Sequence, residues 1–189
     1  MRISALTLLI SFAPALISAP AGASKKEGVT MADQASVAGK TLVLNGMGVR
    51  EATVFNVNVY VAGLYLEQKS SDPSAILGSA GAKQLVMHFV RDVERADLVD
   101  AFDSGFEKAA GKAAKALAPR VAKLNGWMTD MKVGERMMLT EVPGEGIEVT
   151  VRGKKVGTIP GADFARALWT IFIGPEPPNA GLKTGLLGR

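Results

Sequence analysis

The stretch Asn45–Glu67, NGMGVREATVFNVNVYVAGLYLE, constrains the fold more than any other part of the chain. It opens with two glycines, Gly46 and Gly48, and glycine is favoured where backbone takes positive φ or lies close to another group. After Arg50 the side chains alternate. Phe55, Val57, Val59 and Val61 fall on one face, and Asn56, Asn58, Tyr60 and Ala62 on the other. Period-2 alternation rich in Val, Tyr and Phe predicts a strand. A single long strand is expected here, ending near Glu67, with Gly63 marking a bend or bulge. The second face mixes two amides and a phenol with apolar positions, which suits the lining of a cleft better than a plain core.

The rest of the chain supplies partners for that strand. Lys40–Asn45 reads as a first strand, with Leu42 and Leu44 on one face, and a short edge strand is expected at Val29–Met31. Ser70–Ala80 predicts a short helix, with Asp72 as N-cap and Pro73 at the first helical position. Lys83–Arg91 alternates apolar residues on both faces, the pattern of a central strand. From Glu94 the period lengthens: Leu98, Phe102 and Phe106 recur every four residues, an amphipathic helix that Pro119 is expected to break or kink. Strands return at Met137–Val142, Ile147–Arg152 and Val156–Ile159, joined by the turns Pro143-Gly144-Glu145-Gly146 and Gly153-Lys154-Lys155. A last helix spans Asp163–Ile173, and a glycine-leucine tail follows the prolines Pro175, Pro177 and Pro178. Strands, then helices, then strands and a helix argue for an α+β fold, an antiparallel sheet with its helices segregated on one face.

The first segment stands apart. Arg2 is the only charge before Lys25, Ile3–Ile17 is largely apolar, and Ala21-Gly22-Ala23 is a small-residue cleavage pattern. That is the order of parts in a secretory signal peptide. The run is shorter than the ~20 residues a membrane span needs and contains Pro14. Residues 1–23 are therefore expected to be cleaved, leaving one domain, 24–189, in the periplasm or outside the cell, with no transmembrane span. An uncleaved anchor is the alternative. With no cysteine and one histidine, thiol catalysis, cysteine-based metal sites and CxxC chemistry are excluded, and no metal or other cofactor is expected. Lys108, Lys112, Lys115 and Lys123 lie along helical sequence without interleaved aromatics. They read as a solvated face, and nucleic acid is not an expected partner. The oligomeric state is open.

The segments LNGMGVR, VYVAGLYLE, EVPGEGIEVTVRGKKVGTIPGADFARALWTIFIG and LKTGLLG closely resemble the bacterial chalcone-isomerase-like proteins. The resemblance covers roughly Val29–Gly188. It implies the chalcone isomerase fold, an open-faced β-sandwich whose large antiparallel sheet is backed by helices, with a ligand cleft between the layers. It also implies roles. Arg50 falls where the family's arginine meets the anionic end of a ligand. Tyr60 falls where the true isomerases carry a threonine and where fatty-acid-binding relatives pair a tyrosine with that arginine. Lys83 matches a lysine of the isomerase site. The isomerase's tyrosine and asparagine have no counterpart, since Arg91–Leu124 contains neither residue type, and its late threonine falls near Ile171, one position from Thr170.

Closing a chalcone ring requires oriented donors at the charge that develops on the enolate oxygen, and most of that network is missing. Binding a carboxylate asks for less: a guanidinium and a phenol O–H are enough. The expected activity is therefore binding of a small amphipathic anion such as a fatty acid, through Arg50, Tyr60 and Lys83, without assigned catalytic residues. An isomerase (intramolecular lyase) acting on an unknown substrate is the alternative. By spacing alone, Arg50 reads as a surface arginine paired with Glu51 or Glu67, and it is the resemblance that implies the cleft role. Tyr60 could be a core aromatic with a satisfied hydroxyl, Lys83 a solvated charge, His88 a hydrogen-bonded histidine, and Asn56 and Asn58 cleft or surface amides.

Overall fold

A computed structural model describes residues 22–52 and 57–189. Residues 1–21 of the expected signal peptide, and Phe55 and Asn56, lie outside the described residues; Ala23, at the expected cleavage point, is the first residue of a strand. Two short strands, β1 (Ala23–Lys26) and β2 (Val29–Ala32), form a hairpin of their own. They precede β3 (Gln34–Val37), β4 (Lys40–Ala52), β5 (Val57–Leu66), α1 (Pro73–Gly78) and β6 (Lys83–Phe89). Then come α2 (Arg95–Ala110), α3 (Ala114–Gly126), β7 (Arg136–Val142), β8 (Gly146–Val151), β9 (Lys154–Ile159), α4 (Ala162–Ile173) and α5 (Ala180–Leu186). Strands β3 to β9 make one antiparallel sheet in sequence order, which places β6 at its centre. The α+β architecture expected from the sequence is what the chain adopts.

The stretch Asn45–Glu67 is not one strand. It holds most of β4 and all of β5, paired back on each other with Val49 opposite Val61 and Arg50 opposite Tyr60. No glycine or proline lies between Gly48 and Gly63 to mark the reversal, so the alternation reads straight through it. The ladder is irregular at two points. Between Leu44 and Gly46 the extra residue is Asn45, and opposite Arg50 and Glu51 the extra residue is Val59. A bulge shifts the side-chain alternation by one residue. Leu42 and Leu44 therefore share a face with Met47 and Val49, all of them in the core on the non-helical side of the sheet. Gly63 is not the bulge. A Cβ there would stand 2.4 Å from Met31 Sδ, so Gly63 makes room for the β1–β2 hairpin, which lies over that side.

The helical side carries the larger core. Tyr60, Ala62, Leu64, Leu85, Met87, Phe89, Met137 and Leu139 face α4 and α2. α4 is buried almost all round, with Phe164, Leu168, Trp169 and Phe172 at 3% exposure or less, because α2, α5 and the sheet flank it on different sides. The long amphipathic helix breaks at Gly111, whose φ is +50°, in the 3₁₀ turn Gly111–Ala113, and not at Pro119. Pro119 lies within α3, which runs on through Asn125 to Gly126. At α1 the expected cap is present: Asp72 Oδ1 accepts from the Ser74 amide at 2.9 Å, and Pro73 opens the helix.

The glycine-leucine tail is also helical. α5 lies along β4 with its backbone in contact: a Cβ on Gly46 would fall 2.2 Å from the Gly185 carbonyl oxygen, and one on Gly48 2.2 Å from that of Leu182. NGMG and LKTGLLG are thus the two halves of one packing device. Leu182, Leu186 and Leu187 meanwhile enter the core. Among the described residues, no helix is long and apolar enough to cross a membrane.

Candidate functional site

A cavity of about 580 Å³ lies between the sheet and α2, within the 300–1,000 Å³ typical of small-molecule sites. β4 contributes Arg50 and Ala52, β5 contributes Val59 and Tyr60, and β6 contributes Met87. From the helical layer come Leu98, Phe102 and Gly105 of α2 and Ile171 and Phe172 of α4. Pro177 and Pro178, in the link from α4 to α5, close one side. Val59 and Tyr60 are adjacent in sequence and still line the same space, because Val59 is the extra residue of the bulge. Bulges re-aim side chains in this way next to binding sites. Gly105 lets α2 approach α4: a Cβ there would meet the Ile171 side chain at 3.0 Å.

Arg50 and Tyr60 stand directly opposite each other in the ladder. The Arg50 guanidinium donates to the Glu51 carbonyl oxygen. Among the described residues no carboxylate pairs with it; Glu67 is taken instead by Lys40, at 2.7 Å, and by the Ala82 amide. Tyr60 is 6% exposed and packs edge-on against Phe89, ring centroids 5.7 Å apart. Burial pushes its pKa well above the usual phenol value, and the Arg50 charge partly opposes that shift. The phenol is therefore a proton donor at every ordinary pH. Among the described residues it forms no hydrogen bond. A cation and a phenolic donor thus share the wall of a cavity whose other walls are mainly apolar. The exposed groups Arg91, Asp92, Asp97, Lys108 and Glu176 surround its mouth.

Lys83 does not join them. It is 2% exposed, not solvated, and its ammonium donates to Glu141 Oε2 (2.8 Å), Ser79 O (2.6 Å) and Gly81 O (3.2 Å). Trp169 Nε1 donates to the same Glu141 oxygen at 2.6 Å. Tyr60 lies opposite Phe89, six residues along β6 from Lys83, roughly 20 Å at a strand's rise of ~3.3 Å per residue. With all three protons engaged and that separation, Lys83 is a structural charge and not a cavity group. Asn58 faces the other side of the sheet and donates to Glu27 at 3.4 Å. His88 is on that side as well, half-buried, its Nδ1 accepting from Arg136 Nε at 3.0 Å. Burial, and then the Arg136 charge, hold its pKa low. At the position of the isomerase threonine, Ile171 lines the cavity, while Thr170 Oγ1 donates back to the Arg166 carbonyl at 2.8 Å.

One residue that the sequence did not point to stands beside Arg50. Asn179 Nδ2 donates to the Val49 carbonyl oxygen at 3.0 Å, and its Oδ1 accepts from the Glu51 amide at 3.4 Å. Its only signal in the sequence is its place directly after Pro177-Pro178, before a helix that reads as a tail.

A family model described as chalcone isomerase-like matches residues 23–188. Among solved structures, a fatty-acid binding protein of Arabidopsis thaliana superimposes with a TM-score of 0.71 at 16% sequence identity, over 88% of this chain and 96% of that one. Identity that low speaks to the fold alone, and the fold it shares is the curled antiparallel sheet backed by helices. No curated protein matches the chain.

Proposed function

The chain belongs to the chalcone isomerase-like family, and from that premise we propose that it binds an amphipathic carboxylate, a fatty acid, without transforming it. The observation that carries this reading is the Arg50–Tyr60 pair. Two donors, one of them a fixed positive charge, face an otherwise largely apolar cavity. A carboxylate satisfies both, and charge-assisted bonds of this kind contribute about 1.5–3 kcal/mol each. The tail supplies the larger share. At roughly 0.8 kcal/mol per buried methylene, about twelve carbons give on the order of 10 kcal/mol before ordering costs. The fatty-acid ligand of the Arabidopsis neighbour supports the same ligand class here. The helix over the cavity offers neither tyrosine nor asparagine to stabilise a developing enolate, which favours binding over isomerisation.

Titration with dodecanoic acid and with dodecanol tests the proposal. The acid binds more tightly than the alcohol to the unaltered chain. Arg50→Ala removes that preference, and Tyr60→Phe reduces it by a smaller amount. Equal affinity for acid and alcohol in the unaltered chain would remove the anchor. Export is part of the same proposal: a chain expressed with residues 1–23 is recovered outside the cytoplasm, its mass corresponding to cleavage near Ala23.

A further inference from the structure

We propose that Asn179 is the positioning residue of the anion anchor: its carboxamide holds the two peptide groups that flank Arg50 and so fixes where the guanidinium stands. The inference rests on the reading of Arg50 as a carboxylate anchor.

β3 pairs with β4 only from Lys40 to Val43. Past the Leu44 amide, which donates to the Asp33 carbonyl at 2.8 Å, no strand among the described residues pairs with that edge of β4, and an unpaired edge leaves its N–H and C=O groups without ladder partners. On the opposite side, the bulge at Val59 interrupts the ladder to β5 between Arg50 and Glu51. Arg50 therefore sits where β4 is held least well by other strands. Asn179 fills that gap. The Val49 carbonyl and the Glu51 amide belong to the peptides immediately before and after the Arg50 Cα. One carboxamide engages both, at 3.0 and 3.4 Å, as a residue of a paired strand would. The Arg50 guanidinium in turn rests on the carbonyl of Glu51, the residue whose amide Asn179 holds.

The orientation of an arginine's Cα–Cβ bond decides where its far end lies. Over the length of the side chain, a tilt of about 10–20° moves the guanidinium by more than the ~0.5 Å that a preorganised site tolerates. Asn179 also closes the link that puts Pro177 and Pro178 on the cavity wall, so one short segment shapes the pocket and aims its charge.

Asn179 also holds α5 against the sheet, and a purely structural role predicts lost stability alone. Asn45 separates the two roles. At the other end of α5 it donates to Leu186 O at 2.8 Å and Ser70 O at 3.0 Å and accepts from the Ser70 amide at 2.8 Å, away from the cavity. The experiment compares affinities for dodecanoic acid and dodecanol in the full chain and in its Asn179→Ala, Asn45→Ala, Arg50→Ala and Arg50→Ala/Asn179→Ala variants. Asn179→Ala lowers acid affinity on the order of tenfold, the effect of two modest hydrogen bonds, and leaves alcohol affinity in place. Asn45→Ala lowers the melting temperature and leaves the acid-to-alcohol ratio unchanged. Asn179→Ala adds nothing to the ratio once Arg50 is gone. Should the alanine variant not fold, Asn179→Gln, which keeps the amide but displaces it by one methylene, shifts the ratio in the same direction. If the Asn179 variants change the ratio no more than Asn45→Ala does, the positioning role is overturned while the anchor stands. If Arg50→Ala itself leaves the ratio unchanged, the anchor and the proposal fall together.

Discussion

Arg50 and Tyr60 are cross-strand partners, and they act on each other: burial holds the Tyr60 proton tightly, and the adjacent guanidinium loosens that hold in part. The balance favours the neutral phenol, so the pair presents a positive charge and a neutral donor together.

The raised Tyr60 pKa has a consequence for stability. An ordinary tyrosine titrates near 10. Above that pH the unfolded chain loses the phenol proton while the fold retains it, so the unfolded state binds fewer protons and stability falls with rising pH. Below about pH 10 this group contributes no slope; above it the loss approaches ~1.4 kcal/mol per pH unit. Tyr65, also pushed up by burial, adds a share of its own. Urea denaturation between about pH 8 and 11 therefore shows a falling alkaline limb that Tyr60→Phe makes shallower without abolishing. An unchanged limb in that variant would mean the phenol is not withheld from water.

Gly48 is required for space and not for backbone conformation. It is not among the residues with positive φ, yet a Cβ would lie 2.2 Å from a backbone oxygen of α5, which cannot move aside as a side-chain end could. Gly48→Ala is expected to cost about 1–3 kcal/mol as overpacking and to lift α5, and Asn179 with it, from β4. Gly78 is the control. It ends α1 with ordinary φ and no atom within 4 Å of an added Cβ, so Gly78→Ala leaves stability unchanged or slightly raised. Chemical denaturation combined with limited proteolysis of the C-terminal segment distinguishes the two.

What was legible in the sequence follows from how local each signal is. Asp72-Pro73, the four-residue recurrence from Leu98 to Phe106 and the Pro143–Gly146 turn act through their own neighbours, and each element formed where it was expected. The β4–β5 reversal carries no glycine or proline, so alternation hid it. Val59 reached the cavity through a bulge that pattern counting cannot place. α5 reads as a tail because glycines are weak helix formers in isolation, yet one of them, Gly185, is a contact position against a strand more than 130 residues earlier, an interaction visible only in three dimensions. Arg50 was singled out by resemblance and not by spacing, and the cavity beside it depends on helices that come later in the chain. Asn179 bonds to backbone, so nothing in the identity of its partners announces it.

Lys83 illustrates the same limit and supports a last prediction. At a strand start it reads as a solvated charge, yet Glu141, 58 positions away, and Trp169 enclose it under α4. Removing one member of a buried pair leaves the other charge uncompensated, which typically costs about 3–5 kcal/mol. Lys83→Met fills the volume but abandons Glu141. Its side chain is 15% exposed and keeps the Trp169 bond, so the loss is expected at the lower end, about 3 kcal/mol. Dodecanoic acid affinity of the folded variant is expected to match that of the unaltered chain, because the ammonium is separated from Tyr60 by most of the length of β6. A variant that keeps its stability and loses acid affinity would return Lys83 to the binding site and make its bond to Glu141 incidental.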